Sequence, residues 1–271
     1  LDQDDATQRG YFLISVSDDS IPTGTWYNWA IKSSLNGSVE SGSWGDYQGV
    51  GFDNEAIYLT TNQFAFSGSF QYNKMRIIGK AQLYNNTAGP CAWTDLWDIR
   101  DPSNAVRIFG SRPTINYGVS GQYYFLVTSP FSTGTYVTLY KLSNPLTSPV
   151  MTGFNVPVIT YSSAPNAGQL GGGMPIEGGS SGFRNEPIFR NGYLYAVHAV
   201  GNNGYSAVNY YKIDPNTNSA VEDATFGASG YWHMYPALSV DIDNNIAMTY
   251  SRSGETEYAG AYYNSRLASD P

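Results

Sequence analysis

The chain has 271 residues with 29 Gly, 23 Tyr and one Cys, and only 13% of it is charged. A net charge of −8 and a pI near 4.6 exclude a nucleic-acid binder, which needs clustered Lys and Arg against phosphate. The lone Cys91 excludes an internal disulfide or a multi-cysteine zinc centre, and no apolar run approaches the ~18 to 20 residues of a membrane span.

The chain starts at Leu1 rather than Met, which reads as a processed, truncated or excised end. A surface of Ser, Thr, Asn, Gly and Tyr reads as secreted, extracellular or cell-surface. Two sequons, at Asn36 and Asn85, are short enough to arise by chance. From Tyr11 onward, helical periodicity is nearly absent. Short runs of Tyr, Phe, Val, Ile and Thr alternate with Gly, Asn, Asp, Ser and Pro, which predicts strands over 11–17, 26–33, 56–61, 74–83, 123–128, 136–141, 193–200, 208–213, 237–240 and 246–250. Asp53-Asn54, Asn191-Gly192 and Asp243-Asn244-Asn245 supply turns between paired runs. The chain reads as all-β.

One unit recurs: a short strand opening on a polar residue, a tight turn, then an apolar Tyr-rich strand. Trp44-Gly45-Asp46-Tyr47 leads to Ile57-Tyr58-Leu59, and Ser111-Arg112-Pro113 to Tyr123-Tyr124-Phe125-Leu126. Asn185-Glu186-Pro187 leads to Tyr193-Leu194-Tyr195, and Tyr235-Pro236-Ala237 to Ile246-Ala247-Met248. The spacing, about 50 to 75 residues, is that of a propeller blade with loop insertions. The expectation is one β-propeller domain over 1–271 with about five blades, the first incomplete. Either the C-terminus closes it or it is part of a larger propeller; a β-sandwich is the rival fold.

Tyr11-Phe12-Leu13-Ile14-Ser15-Val16-Ser17-Asp18, Pro22-Thr23-Gly24-Thr25-Trp26 and 53–64, with Asp53-Asn54-Glu55-Ala56-Ile57-Tyr58 at its head, resemble phrases of large secreted bacterial β-propeller proteins of sialidase-like appearance. The resemblance extends to Arg190-Asn191-Gly192-Tyr193 and to Tyr235-Pro236. It implies a secreted propeller and carries no active site, because that family is largely without assigned function. The stretch from Ser17 to Trp26 is also similar to the Asp box of sialidases, a structural turn with no catalytic role.

Gly178-Gly179-Ser180-Ser181-Gly182 satisfies G-x-S-x-G but lacks the strand before and helix after that a nucleophile elbow needs, so it reads as a flexible inter-blade loop. Gly171-Gly172-Gly173 lacks the Gly-Lys-Ser/Thr ending of a P-loop. Asp241, Asp243 and Asn245 mimic the start of a calcium loop whose glycine and bidentate Glu are replaced by Ile246 and Arg252. An EF-hand is excluded, and the choice is between a polar turn and a different Ca²⁺ site near Asp241 and Asp243. His198 and His233 read as structural, hydrogen-bonded residues. No other metal or cofactor is expected.

Inner strands of a propeller place equivalent positions in a ring around one channel mouth. Aligning the repeat puts Asp46, Arg112, Glu186 and Tyr235 in that ring, flanked by Trp44, Tyr47, Trp232 and His233. The leading expectation is a non-enzymatic recognition or structural module for a glycan or protein partner. The alternative is a carbohydrate-active hydrolase or lyase. It would use Asp46 and Glu186 as acid and base, Tyr235 or His233 assisting, and Arg112 on an anionic sugar. An enzyme needs two carboxylates about 5 to 10 Å apart in an open cleft; a binding module leaves them engaged by Arg or backbone.

Overall fold

The computed structural model describes residues 2–4, 6–84, 89–131 and 133–270; the Asn85 sequon lies outside them. The strands group into five successive antiparallel blades. The first holds β1 (Asp2–Asp4), β2 (Arg9–Ser17) and β3 (Trp26–Lys32), followed by a small hairpin, β4 (Leu35–Asn36) and β5 (Val39–Glu40). The second holds β6 (Ser43–Phe52), β7 (Ala56–Ala65), β8 (Phe70–Gly79) and β9 (Thr94–Trp97), with one helical turn, α1 (Lys80–Leu83), before β9. The third holds β10 (Arg112–Pro113), β12 (Tyr123–Thr128), β13 (Thr133–Ser143) and β14 (Val150–Ser162), with β11 (Ile115–Tyr117) continuing its inner edge. The fourth holds β15 (Ile188–Arg190), β16 (Tyr193–Asn202), β17 (Tyr205–Asp214) and β18 (Ser219–Phe226). The fifth holds β19 (Tyr231–Val240), β20 (Ile246–Gly254) and β21 (Glu257–Arg266). The fold is an all-β propeller of about five blades.

Inner strands are laced to one another. β11 pairs in parallel with β15 and with the end of β6 at Phe52. The Phe52 N–H donates to Thr114 O and the Ile115 N–H to Pro187 O. The turns expected from sequence form as written: Asp53 accepts from the N–H groups of Glu55 and Ala56, and Asn191 and Gly192 both take positive φ, the geometry of a two-residue hairpin.

Four hydrophobic clusters fill the four contacts between successive blades. Period-2 side chains feed two clusters from one strand. In β12, Tyr123, Phe125 and Val127 face the second blade, whereas Tyr124 and Leu126 face the fourth. In β16, Leu194, Ala196 and Val200 face the third blade, and Tyr195 and Val197 the fifth. Buried Tyr serves here because its ring packs while its hydroxyl finds a carbonyl or carboxylate: Tyr123 donates to Thr114 O and Tyr58 to Asp53. The contact between first and second blades also carries a buried polar link beside its apolar cluster. Fully buried Arg76 binds Asp95 bidentately and reaches Lys32 O and Leu35 O. Lys74 donates to Ser33 O and Leu35 O, and burial pulls its pKa down to about 7.

The predicted strand over 74–83 ends at Gly79, where the chain turns into α1. β14, β18 and β21, the outermost strands of their blades, do not stand out in the sequence pattern. Pro157 sits within β14 next to a register shift, the edge position in which a missing N–H is tolerated.

Close approach of inner strands leaves no room at Gly51, where a Cβ would lie 2.2 Å from Tyr123 Oη and 2.4 Å from Thr114 O. Gly51→Ala is therefore expected to cost about 3 kcal/mol by overpacking. Urea unfolding at neutral pH measures it; a shift below 0.5 kcal/mol would show that the inner ring yields.

Candidate functional site

Two inner strands carry the same irregularity. In β6 the register shifts between Asp46 and Gly49, and in β19 between Met234 and Ala237. Each inserts one extra residue and holds a tyrosine at positive φ, Tyr47 at 53° and Tyr235 at 48°. A bulge of this kind re-aims a side chain out of the ladder, and both tyrosines are 41% exposed. The bulges align Tyr47 with Tyr235 and Gln48 with Pro236. The residues preceding the proline position are then Tyr47, Arg112, Glu186 and Tyr235, so Tyr47 rather than Asp46 holds the ring position in β6. Asp46 accepts the Tyr47 N–H at 2.8 Å and so caps its own turn.

These four residues meet a strap, residues 163–185, that joins the third blade to the fourth. Its two arms bridge at Ala167 and Ile176 through reciprocal backbone hydrogen bonds. The outer arm lies on the fifth blade: Ser253 Oγ donates to Gly168 O at 2.7 Å, the Leu170 N–H to Glu257 O, and the Trp232 ring packs on Gly168. The inner arm crosses the mouth. Gly179 lies on the Tyr235 ring, Arg184 stacks over Tyr47 with Cζ 5.1 Å from the ring centroid, and Arg112 Nε donates to Phe183 O at 3.1 Å. Glu186 follows at the strap's end. Its Oε1 accepts from the Val50 N–H at 3.3 Å and lies 3.7 Å from Arg112 Nη1, while that Nη1 donates to Gln48 O at 2.7 Å.

Between strap, second blade and third blade lies a cavity of about 230 Å³, lined among others by Tyr47, Phe109, Arg112, Ser129, Phe131 and Arg184. Arg112 is 7% exposed; desolvation draws its pKa down while Glu186 opposes that, and the guanidinium stays charged. Tyr47 continues through Phe109 and Phe64 to Trp44 in one aromatic run, with centroid separations of 5.8 to 6.3 Å.

The remaining predicted residues lie elsewhere. Trp232 packs against Tyr205 as well as Gly168. His233 is buried between Phe226 and Tyr250. Asp241 spends Oδ1 on the Asp243 and Asn245 N–H groups and Oδ2 on the Asn245 amide, the hydrogen bonding of a polar turn. Among the described residues no group of three or more His, Cys, Asp or Glu is placed to hold a metal ion, and no helix is long and apolar enough to cross a membrane.

Nothing in the sequence singles out Arg184, Phe109 and Phe131, and the 178–182 segment, which reads as a flexible loop, is pinned in the fold. His198 does the pinning: Nδ1 meets Ser181 O at 2.7 Å and Nε2 meets the Tyr211 hydroxyl at 2.8 Å. The carbonyl only accepts, so Nδ1 carries the proton. Tyr211 Oη accepts from Asn209 Nδ2 at 3.0 Å and donates to Nε2. Because both ring nitrogens of His198 are engaged, by the Ser181 carbonyl and the Tyr211 hydroxyl and neither by a serine hydroxyl, it is not placed as the base of a serine nucleophile.

No protein-family profile and no curated protein matches the sequence. Solved structures do match. A Penicillium chrysogenum α-L-arabinanase complexed with arabinobiose superposes with TM-score 0.50 and 14% identity, over 97% of this chain and 67% of that one. A subtype N10 neuraminidase-like protein of A/little yellow-shouldered bat/Guatemala/060/2010 does so with TM-score 0.41 and 10% identity, over 81% of this chain and 58% of that one. The chain thus spans less than two thirds of the neuraminidase-like protein. At such identities the likeness is one of fold, the β-propeller.

Full burial presses the His198 pKa down to about 4, against an ordinary value of 6.5. The unfolded chain therefore binds this proton first as pH falls. Stability from His198 is complete above pH 6.5 and declines down to about pH 4, by a total on the order of 3 kcal/mol. Denaturant titrations at pH 7 and pH 4.5 should show this loss in the wild type and a smaller one in His198→Gln. Equal losses would remove His198 as the cause.

Proposed function

We propose that the protein is a non-hydrolytic glycan-recognition module of the extracellular space, with its ligand in the cavity beneath the strap. One observation carries the reading: the carboxylates nearest the mouth are committed to the protein itself. Glu186 is engaged by Arg112 and the Val50 N–H, and Asp46 by the Tyr47 N–H. Neither lines the cavity, whose walls are aromatic rings, hydroxyls and two guanidiniums. Hydrolysis of a glycosidic bond requires an acid and a second carboxylate facing each other across the substrate, and the lining supplies no such pair. Aromatic faces beside hydroxyl groups suit sugar rings, which present C–H faces and hydroxyl edges. The propeller shared with an arabinanase that holds arabinobiose supports a saccharide as the ligand class. The Ser-, Asn- and Tyr-rich surface supports the extracellular assignment.

Tyr47 is the platform to remove. Tyr47→Ala keeps a β-carbon at the same positive φ and leaves the buried clusters untouched. It is expected to weaken saccharide binding at least tenfold with little change in Tm, as read by calorimetric titration with arabinobiose and acidic oligosaccharides. Release of new reducing ends from those sugars by the wild type would overturn the non-hydrolytic reading.

A further inference from the structure

The strap cavity concentrates positive charge in an acidic protein. The chain carries 14 Lys and Arg against 22 Asp and Glu, yet among the described residues two arginines line this cavity and no carboxylate does. Arg112 is more than nine-tenths buried. Its Nε and Nη1 are spent on Phe183 O and Gln48 O, and among the described residues Nη2 has no hydrogen-bond partner. Arg184 is fixed from both sides, with Nε on Gly179 O and the guanidinium face over Tyr47. The two cations are close enough for Arg184 to disfavour the charged form of Arg112, an influence that Glu186, 3.7 Å from Nη1, opposes more strongly. A guanidinium nitrogen that the protein leaves without a partner can take one from a ligand, and guanidiniums are well matched to planar oxyanions.

We propose that this cavity selects an acidic sugar, taking its carboxylate between Arg112 Nη2 and Arg184 while the sugar ring lies against Tyr47, Phe109 and Phe131. The inference rests on the glycan-recognition reading and adds the charge of the ligand. A volume of about 230 Å³ suits one sugar ring with its carboxylate. The net charge of −8 opposes an anionic chain at long range, but salt near 0.15 M screens that beyond ~8 Å. Contact with the two arginines then decides affinity.

Calorimetric titration of the whole chain with trigalacturonate, its fully methyl-esterified form and a sulfated, uronate-free galactose oligosaccharide tests this. Trigalacturonate is expected to bind at least tenfold tighter than the ester, with the gap narrowing from 50 to 500 mM NaCl. Arg184→Gln should erase the gap and Arg184→Lys keep part of it, each with the melting temperature checked against the wild type. Equal binding of acid and ester would overturn the charge selection and leave glycan recognition standing. Tighter binding of the sulfated sugar would overturn the carboxylate assignment. Failure of all three ligands to bind would overturn both.

Discussion

Three alternate carbonyls of the strap, those of Gly179, Ser181 and Phe183, each accept a side-chain N–H, from Arg184, His198 and Arg112. This set of bonds is the constraint on which the mouth depends. A glycine- and serine-rich segment has little apolar surface with which to hold itself in place. Its carbonyls lie at a surface being buried and need partners. Arg112 of the third blade, His198 of the fourth and the strap's own Arg184 supply them, so a segment of low intrinsic order becomes the wall of a cavity. Gly178 permits the tight crossing, since a Cβ there would meet Pro165 O at 2.2 Å.

The donors are rigid because the blades beneath them are. His198 occupies the β16 face that packs on the third blade, with the Tyr161 ring edge-on at 4.8 Å and Phe183 at 5.2 Å. Its neutral form is what that environment selects, and the neutral tautomer with Nδ1–H is the one that can donate to Ser181 O. Packing between blades thus fixes a protonation state, which fixes the strap. Arg112 works the same way from the third blade. It sits immediately before Pro113, which spends no N–H on the ladder and packs under Gly49 and Gly51 of β6.

Much of the blade architecture is legible in the chain. Tyr123 to Thr128 and Tyr193 to Val200 announce themselves as apolar runs, and Asn191-Gly192 as their hairpin turn. The outer strands β14, β18 and β21 are hard to read because one flank faces solvent, which dilutes the apolar alternation with polar residues, Gly and Pro. The site is legible only in part. Arg112, Glu186 and Tyr235 follow from the repeat. The exchange of Asp46 for Tyr47 does not, because a one-residue bulge decides it and Gln48 stands where the other repeats place Pro. Arg184 and the strap were invisible for a different reason: the groups that order the segment, Arg112 among them, lie as far as 71 residues away in sequence. Local composition carries no trace of them.

A wall held by buried donors has a consequence for binding. A ligand entering this cavity meets side chains whose order was established on folding, so little conformational entropy remains to be lost on association. Arg184 lies over Tyr47 with its Nε held by Gly179 O, and Arg112 is fixed through two of its three nitrogens. A general acid must hold its proton and release it to a leaving group, but the nearest carboxylate, Glu186, is engaged by the Arg112 guanidinium and the Val50 N–H. A carboxylate in that setting is suited to positioning Arg112. The carboxylate nearest the cavity is thereby tied up in building its wall.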